Sequence, residues 1–150
     1  MSKDDLFVSA DKMLAAMDFA EVTAAQEEKH KKQMANLLLN FLDVMDSMQT
    51  LEAHCQDLYA SGHEHIPLRS VSIIVRQISS LLSKAGVEPM NGAGHSLDLN
   101  LHEVVAVRTD LSTAEDTVLE ELLRGYMWNK DLLRRAKVVI SRQETPTEAH

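Results

Sequence analysis

An α+β fold is predicted, with a long helical part first and a small β-rich part after it. Three observations predict it. No Gly or Pro occurs before Gly62 in the 150-residue chain. Two segments with helix-period apolar stripes follow one another, and past Gly86 the helix formers give way to clustered Gly and Pro and to short β-branched runs.

The first 61 residues are rich in Ala, Leu, Met, Glu, Gln and Lys, the composition of a long helix or of two nearly continuous ones. Ser2 followed by Asp5 reads as a capping box at its start. Taken as one helix, residues 3–59 would span about 85 Å at 1.5 Å per residue. A compact globule of this chain length is only about 40 Å across, so the helix either protrudes or bends back. Its middle, Glu27-Glu28-Lys29-His30-Lys31-Lys32, has no apolar side chain and is a solvated face or a break point. Beyond it Leu38, Phe41, Leu42, Met45, Met48, Leu51, Cys55 and Leu58 recur at steps of three and four, with Leu37 and Val44 widening the stripe.

Gly62 can close this helix in a left-handed conformation, Pro67 suits the first turn of the next, and Gly86 can close that one. Between them Val71, Ile74, Val75, Ile78, Leu81, Leu82 and Ala85 make a second stripe. Two amphipathic helices with a short loop read as a hairpin. Alone it leaves too much apolar edge in water, and doubling it makes a four-helix bundle, so a homodimer is expected. Pro89, Gly92 and Gly94 then introduce Val104-Val105-Ala106-Val107 and Val138-Val139-Ile140, which read as strands. Val118, Leu119, Leu122, Leu123, Tyr126 and Met127 have a spacing that suits a helix better than alternation. The tail from Gln143 to His150 has no apolar residue larger than Ala and reads as disordered. The expected organisation is a stalk over 1–60, a short bundle helix over 61–86, a β-domain over 87–142 and a tail over 143–150.

Composition narrows the function. With 15 basic against 23 acidic residues the formal charge is −8, so the chain as a whole lacks the phosphate-neutralising surface of a nucleic-acid binder. Aromatic residues are scarce, six against eight Met, which suits an aliphatic core of packed helices. No apolar run approaches the roughly 20 residues that cross a bilayer, and the opening MSKDDLFVSADKM has acids where a signal peptide carries bases. A cytoplasmic protein without a membrane partner is expected, and the single Cys55 suits a reducing compartment.

Few residues suggest chemistry. His54, Cys55, His63, Glu64 and His65 hold the soft and imidazole ligands, but their spacing matches no standard metal motif, and no metal or other cofactor is expected. Asn91-Gly92-Ala93-Gly94-His95 lacks the Lys-Ser/Thr of a phosphate loop and is explained as a turn. His95, Asp98, His102 and Glu103 are candidate acid–base groups, but no Gly-flanked Ser or other nucleophile accompanies them, so no catalytic residue is assigned and no enzyme is expected. Arg124, Lys130, Arg134, Arg135, Lys137 and Arg142 make the last segment locally basic, as a docking patch or as a salt-bridged sheet face.

The segment from Gly86 to Arg142 resembles the C-terminal half of GrpE, the nucleotide exchange factor family of DnaK-type chaperones. Gly86-Val87-Glu88 is similar to the family's GVE. Leu97-Asp98-Leu99-Asn100-Leu101-His102-Glu103-Val104-Val105 is similar to FDPNLHEAV. Thr117 to Tyr126, then Asn129, then Leu133 to Arg142 follow TVVEELQKGYxxNGRxLRPAxVxVSK in order and spacing, and Leu37 to Met48 resembles the family's LLPVLDNLERAL. About three quarters of the chain is covered.

The resemblance implies an elongated homodimer of paired long helices with a four-helix bundle and a β-domain on each protomer. It also implies that residues 117–127 form a strand against their helical period. It implies partner contacts at Asn100, His102, Leu122, Arg124, Tyr126, Asn129, Asp131, Arg134 and Ile140, against the ATPase domain of a DnaK-type chaperone whose nucleotide cleft is held open. Leu38, Phe41, Leu42, Met45, Met48, Val71, Ile74, Val75 and Ile78 are the implied dimer interface. The sequence departs from the pattern in places. The NGR turn is Asn129-Lys130-Asp131, the DPN proline is Leu99, a helix glycine is Ser70, and Asp18 to Ala25 lacks the ENxRKR pattern of a longer N-terminal helix. Asp131 therefore predicts a basic residue opposite it on the partner. A dimeric helical adaptor without exchange activity, and a small metal-binding protein built on His54 to His65, are the other two readings.

Overall fold

The computed structural model describes residues 3–63 and 67–143. Ser2 of the expected capping box, Glu64 and His65 of the imidazole cluster, and the tail past Gln143 lie outside the described residues. By contacts the chain forms two compact units, Met1–Asn40 and Phe41–His150.

The breaker-free segment is one continuous helix, α1, Lys3–Ala60. The Glu27–Lys32 stretch does not interrupt it; every one of these six residues is exposed, with Lys32 and Glu28 3.7 Å apart one turn away. Gly62 closes α1 at a φ of +93°, its N–H donating to the Tyr59 carbonyl at 3.0 Å. Helix α2, Leu68–Lys84, begins directly after Pro67 and ends at Ala85, with Gly86 at a φ of +82° donating to the Ser83 carbonyl. Among the described residues no helix is long and apolar enough to cross a membrane.

The six strands are β1 (Val87–Pro89), β2 (His102–Thr109), β3 (Val118–Leu123), β4 (Tyr126–Trp128), β5 (Asp131–Arg134) and β6 (Ala136–Arg142). They make two three-stranded sheets, ordered β1-β4-β5 and β2-β6-β3. In the second sheet β6 is central, parallel to β2 and antiparallel to β3. A central strand covered on both faces should be apolar almost throughout. Ala136, Val138, Val139, Ile140 and Ser141 are accordingly all buried, and Val118, Ala136, Val138 and Ile140 form a cluster with Met90, Leu97 and Val104 against it. The one polar member is satisfied: Ser141 Oγ accepts from the Thr117 N–H at 3.0 Å and donates to the Ala114 carbonyl.

Residues 117–127 are strands, as the family resemblance implies and the apolar spacing does not. The reason lies in the pairing. The register of β3 on β6 slips between Val118 and Glu120 and again between Glu121 and Leu123. Burial nonetheless alternates from Leu119 to Leu123, with Glu121 shielded and Leu122 left exposed, so the apolar positions 118, 119, 122 and 123 mimic a helical period that the strand itself does not follow. The segment is also two strands, divided at Gly125. Gly125 is buried, and a Cβ there would lie 2.7 Å from the Ala136 backbone nitrogen.

The helical stripes divide into two faces. Leu38, Leu42, Met45, Cys55, Val71 and Leu82 are buried within one chain, and Met48, Val75 and Ile78 are half-buried. Of the expected dimer-interface residues only Phe41 and Ile74 remain exposed, at 50% and 44%. Leu38, Leu42, Met45 and Val71 can add almost no further buried area to an interface. Of the stripe residues, Leu37, Phe41, Val44 and Leu51 on α1 and Ile74 and Leu81 on α2 are still open to water, with Ile73 exposed beside them.

Candidate functional site

The β4–β5 hairpin carries the turn that the sequence singles out. Trp128 pairs with Asp131, leaving Asn129 and Lys130 as a two-residue loop with φ of 49° and 76°. Two left-handed central residues are the pattern of a type I′ turn, whose twist matches the flanking strands. Asn tolerates this conformation readily; Lys does not.

This turn is fastened to the end of α2. The Trp128 indole Nε1–H donates to the Ala85 carbonyl at 3.2 Å, and the Asn129 N–H donates to the Gly86 carbonyl at 3.0 Å. Glycine is required at 86 twice over. Its φ is left-handed, and a Cβ would run into the Asn129 side chain, whose Cγ would be 3.0 Å away.

The other end of the hairpin is held by Arg134, which lies opposite Tyr126. Its Nη1 donates to Asp46 Oδ2 at 2.7 Å and its Nη2 to Asp46 Oδ1 at 3.0 Å, a two-pronged pair with α1. Nε and Nη2 also donate to the Arg124 carbonyl, and the guanidinium sits 5.5 Å from the centre of the Tyr126 ring. Burial pushes the Tyr126 hydroxyl above its ordinary range.

The nine residues of the implied partner surface separate by exposure. Asn100, Leu122, Arg124, Asn129 and Asp131 are exposed. Asn100 sits in the turn before β2, its N–H donating to Asp98 Oδ1. Leu122 and Arg124 share a cleft of about 310 Å³ with Asp46, Gln49, Thr50 and Ala53 of α1, and Arg124 Nε pairs with Glu121 Oε1 at 3.3 Å.

Ile140, His102 and Tyr126 do not offer their side chains. Ile140 is 2% exposed on the central strand, in contact with the sheet core, and cannot be a surface anchor. His102 is buried too: its Nδ1 accepts from the Asp98 N–H at 3.0 Å, which puts the proton of the neutral ring on Nε2. That Nε2 has no hydrogen-bond partner among the described residues. Tyr126 is buried under Arg134, and Arg134 itself has spent its donors on Asp46 and the Arg124 carbonyl.

His95, Asp98 and His102 line one cleft of about 440 Å³, but Glu103 is not in its wall and faces Lys137 at 4.0 Å. Among the described residues no three His, Cys, Asp or Glu side chains gather to hold a metal ion. His54 is exposed while Cys55 is buried. Of the basic residues near the end of the chain, Arg142 pairs with Glu115 and Asp116, Lys137 with Glu103, and Arg124 with Glu121.

Asp46 was invisible in the sequence. It lies 88 residues from Arg134, on a helix whose local pattern gives an acid there no special meaning.

Comparison with known proteins bears on the whole arrangement. The family model described as GrpE matches residues 11–142. The Protein GrpE of Prosthecochloris aestuarii is 27% identical over 135 residues, covering 87% of this chain and 66% of that protein. That of Synechococcus sp. strain CC9605 is 33% identical over 124 residues, 82% of this chain and 54% of the relative. That of Thermosynechococcus vestitus is 32% identical over 125 residues, 83% and 49%. The chain spans about half to two thirds of the length of these curated relatives.

Proposed function

The chain belongs to the GrpE family, and from that premise we propose that it is a homodimeric cochaperone of the cytoplasm that accelerates ADP release from a DnaK-type chaperone ATPase. The observation that carries the reading is the extent of the family match, which runs from the long helix through all six strands. The exposed Asn129–Asp131 turn, pinned at both ends of its hairpin, supports it as a rigid docking element. Asn100, Leu122 and Arg124 extend the contact surface, and Phe41, Ile74 and their exposed apolar neighbours supply the dimer face.

No bond is made or broken in this reading. The protein binds the open, ADP-free arrangement of the ATPase better than the closed one, and by linkage it weakens ADP by the factor by which ADP weakens it. A thousandfold faster release needs about 4 kcal/mol of preference for the open state. An interface of exposed apolar side chains and a few paired charges is of the right order.

Release of labelled ADP from a purified DnaK-type ATPase is the test. Acceleration that saturates with added protein is the expected result. Binding without acceleration would select the adaptor reading. No binding to any DnaK-type chaperone of the same cell would end the proposal.

A further inference from the structure

Arg134 reaches three elements at once from its place on β5. The two-pronged pair goes to Asp46 on α1, with Asp43 Oδ1 also 3.7 Å from Nη1; the carbonyl of Arg124 lies between β3 and β4; and the ring of Tyr126 belongs to β4. The two charged side chains are well shielded, at 14% and 22% exposure. Only a guanidinium can do this, because its donors are fixed in a planar fork; an ammonium offers a point charge and no second prong.

The position of this contact on the hairpin matters more than its strength. Trp128 and Asn129 fasten the turn end to Ala85 and Gly86 at the close of α2, while Arg134 and Tyr126 stand at the opposite, open end. Within the sheet the open end is already held by β1, which pairs Pro89 with Tyr126, and by the Met90 N–H donating to the Gly125 carbonyl at 2.9 Å; neither of these ties it to α1, and Arg134 does. We propose that the Asp46–Arg134 pair is the second anchor, which sets the angle of the β4–β5 hairpin against the long helix and so presents the Asn129–Asp131 turn in its docking orientation. Arg134 is then a positioning residue, not a contact, and this rests on the exchange-factor reading above.

A docking element that visits its binding orientation only a fraction of the time binds more weakly by that fraction, while the complex, once formed, is unchanged. Arg134→Lys and the milder Asp46→Asn are therefore expected to raise the concentration for half-maximal acceleration of ADP release by about tenfold and to leave the maximal rate as it is. A partner-independent readout accompanies this. Spin labels at positions 56 and 130, in a Cys55→Ala background and diluted with unlabelled protein, should report one narrow distance distribution in the parent and one at least twice as wide in either variant.

Unchanged widths with unchanged half-saturation, alongside a lower melting temperature, would overturn the proposal and leave a merely stabilising pair. Wider distances with the same half-saturation would overturn the positioning role equally. If the parent fails to accelerate ADP release at all, the exchange-factor reading fails, and the distances still decide whether the anchor exists.

Discussion

Lys130 is the least comfortable residue of the hairpin, and replacing it with glycine should stabilise the protein. Its φ of 76° places a Cβ-bearing side chain in the left-handed region, which costs a non-glycine residue roughly 1–2 kcal/mol. The side chain is exposed, so its removal sacrifices no packing. Glycine returns part of the gain through the greater freedom it adds to the unfolded chain, about 0.4–1 kcal/mol. The net expectation for Lys130→Gly is a stabilisation of about 0.5–1 kcal/mol, or about 1–4 °C in melting temperature for a chain of this size. Urea unfolding and thermal melting at one fixed protein concentration measure it, the concentration being fixed because association shifts the midpoint. Two controls separate backbone from charge. Lys130→Ala removes the ammonium but keeps the Cβ and should stay within about 0.5 kcal/mol of the parent; Lys130→Asn, which tolerates the left-handed region, should fall between Ala and Gly. A glycine variant less stable than the parent, or an alanine variant gaining as much as glycine, would refute the account of the turn as backbone strain.

Gly125→Ala should destabilise by about 1–3 kcal/mol in urea unfolding, because the new methyl would meet the Ala136 backbone nitrogen at 2.7 Å; a neutral result would show that the β3–β4 break can open at no cost. The Asp110 carboxylate accepts from the Ser112 hydroxyl, the Ser112 N–H and the Thr113 hydroxyl, which hold its pKa below the ordinary value. Since the folded pKa is the lower one, this turn contributes stability above the unfolded value near 3.9 and loses it as pH falls through the folded value; a carboxyl carbon titration by NMR at or above 3.8 would contradict it. Leu81→Lys places a charge on a side chain that is 65% exposed in one chain, so it should leave the helices folded by circular dichroism while shifting sedimentation from dimer to monomer. An unchanged dimer mass in the variant would remove Leu81 from the interface.

Legibility differed by element, for physical reasons. The helix ends were plain because glycine carries its message in its own backbone: Gly62 and Gly86 take the left-handed conformations that other residues avoid. The strand around Val138 was plain because β-branched residues in a short run have few alternatives. Residues 118–123 misled the periodicity because the strand leaves Leu122 in water and shields Glu121, a choice made by packing and not by side-chain type. The division of the helical stripes was equally hidden. Leu42 and Phe41 are neighbours of similar hydrophobicity, yet one is fully buried and the other half-exposed.

The proposed docking surface shows the same divide. Asn129 and Asp131 were marked as turn residues by the resemblance to the family motif, and the structure leaves them exposed. Ile140 and His102 occupy motif positions just as specific, but a motif records that a residue is needed without recording whether the need is contact or support. Arg134 was found as a charge near the end of the chain; its meaning required Asp46, 88 residues away.

What the chain settled without its fold was therefore local: where helices stop, which segments favour helix or strand, and that the whole carries an acidic excess with a basic end. These follow from backbone freedom, side-chain shape and summed charge, which each residue contributes alone. The tertiary structure decided which apolar face is spent inside one chain, which motif residues are scaffold, and which two charges meet across the hairpin's open end. Those outcomes depend on pairs of residues brought together by chain closure, and neither member of such a pair carries the other's position in its own side chain.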